Sequence, residues 1–203
     1  MASTINASTS PAGIVQTADG TANLNLQSNG TTIAALTSTG MAVTGTLSAS
    51  GVITATGGLV VGAAAAPAFS AYLNANQSIS NVTVTKVQCN TETFDTNSNY
   101  NNATYTFTPT VAGYYQVIAS LRDQTGSSTG SIRASIYKNG TDYALSVTPM
   151  TTNSNTATCS VLIYMNGSTD YLEFYCYQNS GTSINIQGNS YWTYFNAFLA
   201  RSA

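Results

Sequence analysis

The sequence contains no histidine and very little charge, and both absences exclude classes of function. Only five Lys or Arg and seven Asp or Glu occur among 203 residues, which gives a net charge of -2. Without histidine there is no Ser-His-Asp triad and no imidazole metal site. Without a basic patch there is no electrostatic basis for binding nucleic acid. The composition therefore indicates a non-enzymatic protein without a nucleic acid partner.

Disulfide, membrane and export signals are also missing. The three cysteines, Cys89, Cys159 and Cys176, are too few and odd in number for a secreted disulfide framework. No run reaches the ~20 apolar residues of a membrane span. The first 13 residues have neither the basic start nor the apolar core of a signal peptide. We expect a chain that folds in a cytoplasm and does not insert into a membrane.

Asn, Ser, Thr, Gly and Ala occupy the space that charged residues usually take. The first 85 residues contain one charged side chain, Asp19. This mixture favours turns and half-buried strands over helices. An uncharged surface also lacks the repulsion that keeps monomers apart. We expect an all-β protein that works within a large assembly.

Glycine ends four successive segments of ten or eleven residues in the N-terminal part. Burying a large apolar side chain contributes about 1.5–3 kcal/mol, whereas ordering each backbone unit costs about 1–2 kcal/mol. With two or three such side chains, one segment cannot order alone. We interpret residues 1–19 as a leader that attaches the protein to a larger particle. Residues 20–66 are interpreted as a β-rich shaft formed by several copies of the chain. The segments close at Gly30, Gly40, Gly51 and Gly62.

Residues 67–203 have the pattern of a separate, antiparallel β domain. All but one of the thirteen tyrosines lie beyond residue 99, and Trp192 and all six phenylalanines lie in this part. Strand-like segments alternate with turn residues, including the dipeptides Asn139-Gly140 and Asn166-Gly167. We expect the second dipeptide to join two long strands of a sandwich or jelly roll.

Two of these segments, residues 156–165 and 194–200, are apolar on both faces. A strand on a solvated sheet alternates apolar and polar residues. One face of each segment can fill the core, and the other needs a cover, for which we expect another copy of the chain. The candidate interface residues are Tyr105, Phe107, Leu162, Tyr164, Tyr194 and Phe198.

The run YTFTPTVAGYYQVIASL, residues 105–121, resembles the globular head of complement component one q and its tumour necrosis factor-like relatives. Around this run, the segments PAFSAYLNA, FDTNSNYN, IYKNG, DYLEFYCYQ and SYWTYFNAFLA occur in the matching order, so the resemblance covers residues 67–203. It implies a ten-strand antiparallel jelly roll that forms a homotrimer through one sheet of each subunit.

The sequence departs from that family in two places. Residues 194–198 are Tyr-Phe-Asn-Ala-Phe where the family usually has a Ser-Ser-Phe-Ser-Gly ending, and no collagen stem precedes the head. A shaft rich in Thr, Ser and Gly resembles bacteriophage fibre and spike proteins instead.

Strand parity predicts which loops form the far tip of the head. If shaft and C-terminus meet at the base, the loop before the last strand, residues 179–192, lies at the tip. We expect residues 109–113 and 149–156 there as well, and residues 123–130 near the shaft. Amides and aromatic rings at this tip would bind a sugar, unless Trp192 packs into the core. The candidate binding residues are Asn153, Asn155, Asn185, Gln187, Asn189, Tyr191 and Trp192.

The remaining polar residues suggest little chemistry. Glu92 and Asp95 are the closest carboxylate pair in sequence, but they precede an Asn-rich turn. Calcium, which some members of the resembled family bind, needs several oxygen ligands together, and no Asp-rich loop is present. We predict no catalytic residue, no metal ligand and no cofactor. Cys159 and Cys176 are interpreted as buried free thiols, with a disulfide across a hairpin as the alternative.

Two functions fit these observations. The first is a trimeric bacteriophage fibre or spike, whose N-terminal segment attaches to other virion proteins and whose head binds host surface polysaccharide. The second is a capsid decoration protein at three-fold positions, which the short shaft favours. A polysaccharide depolymerase is a third interpretation. In the first two, the protein is assembled in the host cytoplasm and lies on the virion surface.

Overall fold

The computed structural model describes residues 24–37, 40–44, 66–152 and 155–203. The chain divides into two units, Met1–Leu59 and Val60–Ala203. The predicted leader, and the repeat glycines Gly51 and Gly62, lie outside the described residues. In those ranges there is no helix long and apolar enough to cross a membrane.

The N-terminal unit contains a three-stranded antiparallel meander. Its strands are β1 (Leu24–Ser28), β2 (Thr31–Thr37) and β3 (Gly40–Val43). Asn29 and Gly30 join the first two strands with φ angles of 50° and 77°, the positive values that a two-residue hairpin turn requires. Glycine thus ends the first repeat segment as a turn residue.

The second unit, which we call the head, consists of two packed sheets and a small ribbon. Sheet I has the strand order β13-β10-β16-β4-β7, and sheet II has β12-β11-β14-β9-β8 with β6 beside β14. The ribbon pairs β15 with β5. The strands are β4 (Ala68–Tyr72), β5 (Gln77–Ile79), β6 (Thr85–Lys86), β7 (Thr91–Asp95), β8 (Tyr100–Asn101), β9 (Thr106–Phe107), β10 (Gly113–Arg122), β11 (Ser131–Lys138), β12 (Thr141–Pro149), β13 (Thr156–Met165), β14 (Leu172–Gln178), β15 (Ile184–Ile186) and β16 (Tyr194–Ser202).

This architecture confirms the all-β prediction and corrects two details. The described residues of the head form thirteen strands instead of ten, because five of them are pieces of only two or three residues. The Asn166-Gly167 dipeptide does not form a hairpin, since β13 lies in sheet I and β14 in sheet II. The Asn166 side chain instead accepts backbone hydrogen bonds from Ser168, Thr169 and Asp170, which shapes a longer crossover between the sheets.

Aromatic rings from both sheets interlock in the core. The Phe69 ring of sheet I stacks on Phe107 and Tyr100 of sheet II at centroid distances of 4.4 and 4.7 Å. Phe195 meets Phe69 edge-on at 5.1 Å. The Tyr100 hydroxyl donates a hydrogen bond to the Cys89 carbonyl oxygen at 2.7 Å. This bond compensates for the loss of hydrogen bonds to water when the hydroxyl is buried. These rings hold the two sheets together.

Replacing Phe107 by Ala should lower the free energy of unfolding by about 3–5 kcal/mol, because it removes a fully buried ring from this cluster. Chemical denaturation followed by intrinsic fluorescence measures the change. Tyr191→Ala, at a largely exposed ring, is the control and should change stability by less than about 1 kcal/mol. Equal losses in the two variants would contradict the assigned core.

Candidate functional site

The outer face of sheet I is a candidate interaction surface that follows from strand alternation. Alternate residues of β10 are buried, beginning with Gly113 and Tyr115, so Tyr114 and the alternate residues after it face outward. Cross-strand pairing extends this face over the neighbouring strands. The outer face of sheet I consists of Ala68, Ser70, Tyr72, Phe94, Tyr114, Gln116, Ile118, Ser120, Arg122, Thr156, Thr158, Ser160, Leu162, Tyr164, Tyr194, Asn196, Phe198 and Arg201.

The charged side chains of this face, Arg122 and Arg201, lie at its two ends, and several large apolar side chains of the face are exposed to solvent. Leu162 and Phe198 are 53% and 51% exposed and lie on either side of Gln116 in the strand register. The Gln116 amide donates to the Ser160 hydroxyl at 2.8 Å, so its polar group is already satisfied within the sheet. The other exposed apolar residues are Phe94, Tyr114 and Tyr164.

The predicted interface residues divide between this face and other places. The outer face of sheet I includes four of them: Leu162, Tyr164 and Phe198 are exposed, and Tyr194 is half-buried. Phe107 was assigned to the wrong surface, because it is fully buried between the two sheets. Tyr105 is half-buried with a positive φ of 59° immediately before β9, outside sheet I.

Two exposed aromatic residues on this face were missed by the sequence analysis. Tyr114 precedes the buried Tyr115, so the Tyr-Tyr dipeptide already required one ring to face outward. Phe94 belongs to β7, whose pairing with Ser70 of β4 brings it to the same face. No local pattern indicated that pairing.

Strand directions define the two ends of the head. We call the end where β16 begins the tip, and the end where it finishes the base. Gly113 pairs with Ser202, whereas Arg122 pairs with Thr156. Residues 109–113 therefore lie at the base and residues 123–130 at the tip, which reverses both expectations. Residues 149–152, 155–156 and 179–192 lie at the tip as expected.

The loop after β10 is organised by a buried carboxylate. Asp123 is fully buried and accepts hydrogen bonds from the backbone N–H groups of Thr125, Gly126 and Ser127. Asn155 is also buried and donates to Asp123 and to the Ser127 carbonyl oxygen, at 3.3 and 2.9 Å. Its amide therefore stabilises the loop from within, and the prediction that Asn155 is a surface ligand residue was wrong.

The other candidate binding residues lie in or beside the loop that precedes β16. Asn185 is exposed on β15, and Gln187 and Asn189 are half-buried. Tyr191 is exposed, and Trp192 is half-buried with its ring centroid 5.1 Å from that of Tyr191. Trp192 also stacks on the Arg122 guanidinium at 3.7 Å, a contact that the sequence did not suggest. Asn153 lies outside the described residues.

A polar cavity of about 490 Å³ lies elsewhere, around the β8–β9 hairpin. None of the predicted tip or interface residues lines it. Its lining consists of Ser, Thr, Asn and Tyr, namely Ser98, Asn99, Tyr100, Asn101, Asn102, Thr104, Thr106, Thr108 and Thr110.

Two carboxylates, Asp95 and Glu173, make contacts that stabilise the fold. Asp95 accepts hydrogen bonds from the Asn97 and Tyr100 backbone at 3.2 and 2.7 Å and so caps the turn after β7. Glu173 forms an ion pair with Lys86 at 2.5 Å. In the part of the chain that the structure describes, no three His, Cys, Asp or Glu side chains form a metal-binding group.

The three cysteines are buried, free thiols. Cys159 lies on β13 of sheet I and Cys176 on β14 of sheet II, so the hairpin that would have paired them does not exist. Burial raises the pKa of the Cys176 thiol from its usual 9.0 to about 12. Burial also raises the pKa of Cys89 and of Cys159. All three are therefore neutral near pH 7.

No protein-family model matches the chain, and no curated protein matches it in sequence. Solved structures match in fold. Murine APRIL is 10% identical with a TM-score of 0.52, covering 66% of this chain and 98% of its own. Eiger TNF from S. frugiperda is 9% identical with a TM-score of 0.51, covering 68% and 94%. The head therefore has the tumour necrosis factor-like jelly-roll fold that the sequence resemblance indicated.

The vertex protein P5 of PRD1 also matches, at 17% identity and a TM-score of 0.47, covering 68% of this chain and 96% of its own. The similarity is too low for any functional inference from this match.

The raised thiol pKa values predict loss of stability at alkaline pH. The folded state holds the thiol protons above pH 9, where the unfolded chain releases them, so folding is favoured fully below pH 9 and progressively less as pH rises. Above about pH 9, the free energy of unfolding should fall by about 1.4 kcal/mol per pH unit through the Cys176 thiol. Denaturant titrations from pH 7 to 11 measure this slope.

Cys176→Ala should flatten that slope relative to the unmodified protein at the same pH values. Ellman's reagent should find no fast-reacting thiol in the native protein at pH 8 and three after unfolding. A fast native reaction would contradict the burial of these thiols.

Proposed function

We propose that this protein is a non-enzymatic structural component of a virion that self-associates as a homotrimer through the outer face of sheet I. In this proposal it is a bacteriophage fibre or spike whose head tip binds a host surface glycan. One observation carries the proposal: a broad sheet face, with charged side chains at its two ends, exposes five large apolar side chains.

An isolated head has an energetic reason to cover this face. Soluble monomers rarely expose contiguous apolar patches of more than a few hundred Å². Each large apolar side chain contributes about 1.5–3 kcal/mol when it is fully buried, and roughly half of that is still available to Leu162 and Phe198. A second and third copy supply a cover of matching composition, and the family resemblance implies the same trimer.

The N-terminal unit supports self-association independently. Its register places Leu26 opposite Ala34 and Ala34 opposite Val43, so these residues lie on one face of the meander. Leu26 and Met41 are 48% and 57% exposed. A three-stranded sheet this small is marginal without a cover, and corresponding sheets of neighbouring subunits in the shaft would supply one.

Assignment to a virion rests on composition. A shaft without charge precedes a compact head, and the surface lacks the interspersed charges that keep independent proteins dispersed. Residues 1–19 would attach the trimer to other virion proteins. Three identical heads would raise the avidity of a weak glycan site.

A capsid decoration protein at three-fold positions is the second candidate. The N-terminal unit ends at Leu59, which is short for a fibre that must reach away from a particle. Antibodies against the head, applied to intact virions, separate the two. Label over the whole shell supports decoration, and label at the tail supports a fibre.

Sedimentation of the full-length protein tests the trimer. We expect a mass of about three times the 21.1 kDa chain. Leu162→Asp and Phe198→Asp each place an unpaired carboxylate in the proposed interface and should weaken association by about 3–5 kcal/mol per subunit.

Val84→Asp is the matched control, since Val84 is 44% exposed but lies between β5 and β6, outside sheet I. It should sediment like the unmodified protein. A monomeric unmodified protein, or Asp variants that associate as tightly as the control, would refute the proposed interface.

A further inference from the structure

We infer that the polar cavity around the β8–β9 hairpin, which we call the hairpin cavity, is a binding site for a neutral saccharide. The site goes beyond the proposed function, because it is separate from both the tip and the proposed trimer interface. Thr110, which lines it, belongs to residues 109–113 at the base. None of its nine lining residues lies on the outer face of sheet I. A saccharide in this cavity is therefore compatible with the proposed trimer.

The size and the lining of the cavity suit a small polar ligand. Its volume of about 490 Å³ lies within the range of about 300–1,000 Å³ that is typical of ligand sites. Every lining residue is Ser, Thr, Asn or Tyr, so none carries a charge at neutral pH. The tyrosine, Tyr100, is buried in the core and its hydroxyl is bonded to Cys89. The cavity thus presents mainly hydroxyl and amide groups.

The charged groups that contact the lining residues already have partners. Lys86 donates to the Thr104 carbonyl oxygen at 3.3 Å and forms its ion pair with Glu173. Asp95 accepts a hydrogen bond from the backbone N–H of Tyr100 at 2.7 Å. A charged ligand would lose hydration in this cavity without meeting a free counter-charge, which is unfavourable. A neutral ligand avoids that cost.

Several lining side chains keep their hydrogen-bonding capacity for a ligand. Among the described residues, the side chains of Ser98, Asn102 and Thr108 have no hydrogen-bond partner within the protein. Hydroxyl and amide groups both donate and accept, as sugar hydroxyls do. A ligand that displaces water without reproducing its hydrogen bonds loses affinity. A saccharide ring carries enough hydroxyl groups to satisfy several of these side chains at once.

The walls of the cavity are held in place by buried and turn-forming amides. Asn99 is 7% exposed; its amide donates to the Asn97 carbonyl oxygen at 3.1 Å and accepts the Thr110 backbone N–H at 3.2 Å. On the other side of the hairpin, the Asn101 side chain accepts the Ala103 backbone N–H at 2.9 Å. Because these segments are already ordered, little conformational entropy is lost when a ligand binds.

Saturation-transfer NMR of the full-length protein with defined saccharides tests the site. The probes are maltose, cellobiose, lactose, the dimer of N-acetylglucosamine and a hexuronic acid dimer. We expect binding of at least one neutral probe and at least tenfold weaker binding of the hexuronic acid dimer. Binding of the neutral probe should be the same at low and at high salt, because it involves no ionic contact.

Two substitutions assign the binding to the hairpin cavity. Thr108→Val replaces a half-buried hydroxyl by a methyl group of similar size, and Asn102→Ala removes an exposed amide. Each should weaken binding of the best neutral probe about threefold, and the double variant about tenfold, as expected for the loss of neutral hydrogen bonds. Thermal unfolding verifies that the variants are folded. If Thr108→Val is not folded, Asn102→Ala alone tests the cavity.

Thr91→Val is the matched control, because Thr91 is a half-buried threonine of β7 that does not line the cavity. It should bind the neutral probe like the unmodified protein. Three results would overturn the hairpin cavity as a saccharide site: no binding of any neutral probe, equal binding of the hexuronic acid dimer, or a folded double variant that binds as tightly as Thr91→Val.

Tyr191→Ala separates this site from the proposed glycan site at the tip. Loss of binding in Tyr191→Ala, with no loss in the double variant, would support the tip and overturn the hairpin cavity. The reverse result would support the hairpin cavity. A monomer in sedimentation would overturn the proposed trimer alone, since all lining residues of the cavity belong to one chain.

Discussion

The interlocked aromatic rings between the two sheets are the constraint on which the rest of the head depends. Phe69 and Phe195 enter from sheet I and meet Phe107 and Tyr100 from sheet II. Because side chains alternate along a strand, a ring fixed in the core also fixes which neighbours face outward. A shift of one residue in β16 would bury Phe198 and expel Phe195. The core packing thus determines the outer surface of sheet I as firmly as it determines the interior.

That surface connects core packing to the proposed self-association. In the proposed trimer, covering Leu162 and Phe198 would remove the energetic cost of exposing these apolar side chains to water. The outer face of sheet II carries ion pairs such as Lys86 with Glu173 and Arg133 with Asp142, and it also exposes Leu145 and Val147 of β12.

Much of the fold was predictable from local patterns, and the failures have specific causes. The all-β class, the head and the exposure of Leu162, Tyr164 and Phe198 followed from alternation within single strands. Phe107 was misplaced because β9 has only two residues, too few to show which face a side chain takes. The Asn166-Gly167 turn was misassigned because a turn dipeptide does not specify whether the chain stays in one sheet or crosses to the other.

The sequence by itself determined composition-driven properties: strands instead of helices, neutral buried thiols, very little charge and no histidine chemistry. Only the tertiary structure decided which residues became neighbours across large sequence distances. Pairing of β10 with both β13 and β16 assembled the outer face of sheet I, and the stacking of Arg122 on Trp192 joined residues seventy positions apart. Such contacts depend on strand order and direction, which arise from packing the whole core and not from any local stretch of chain.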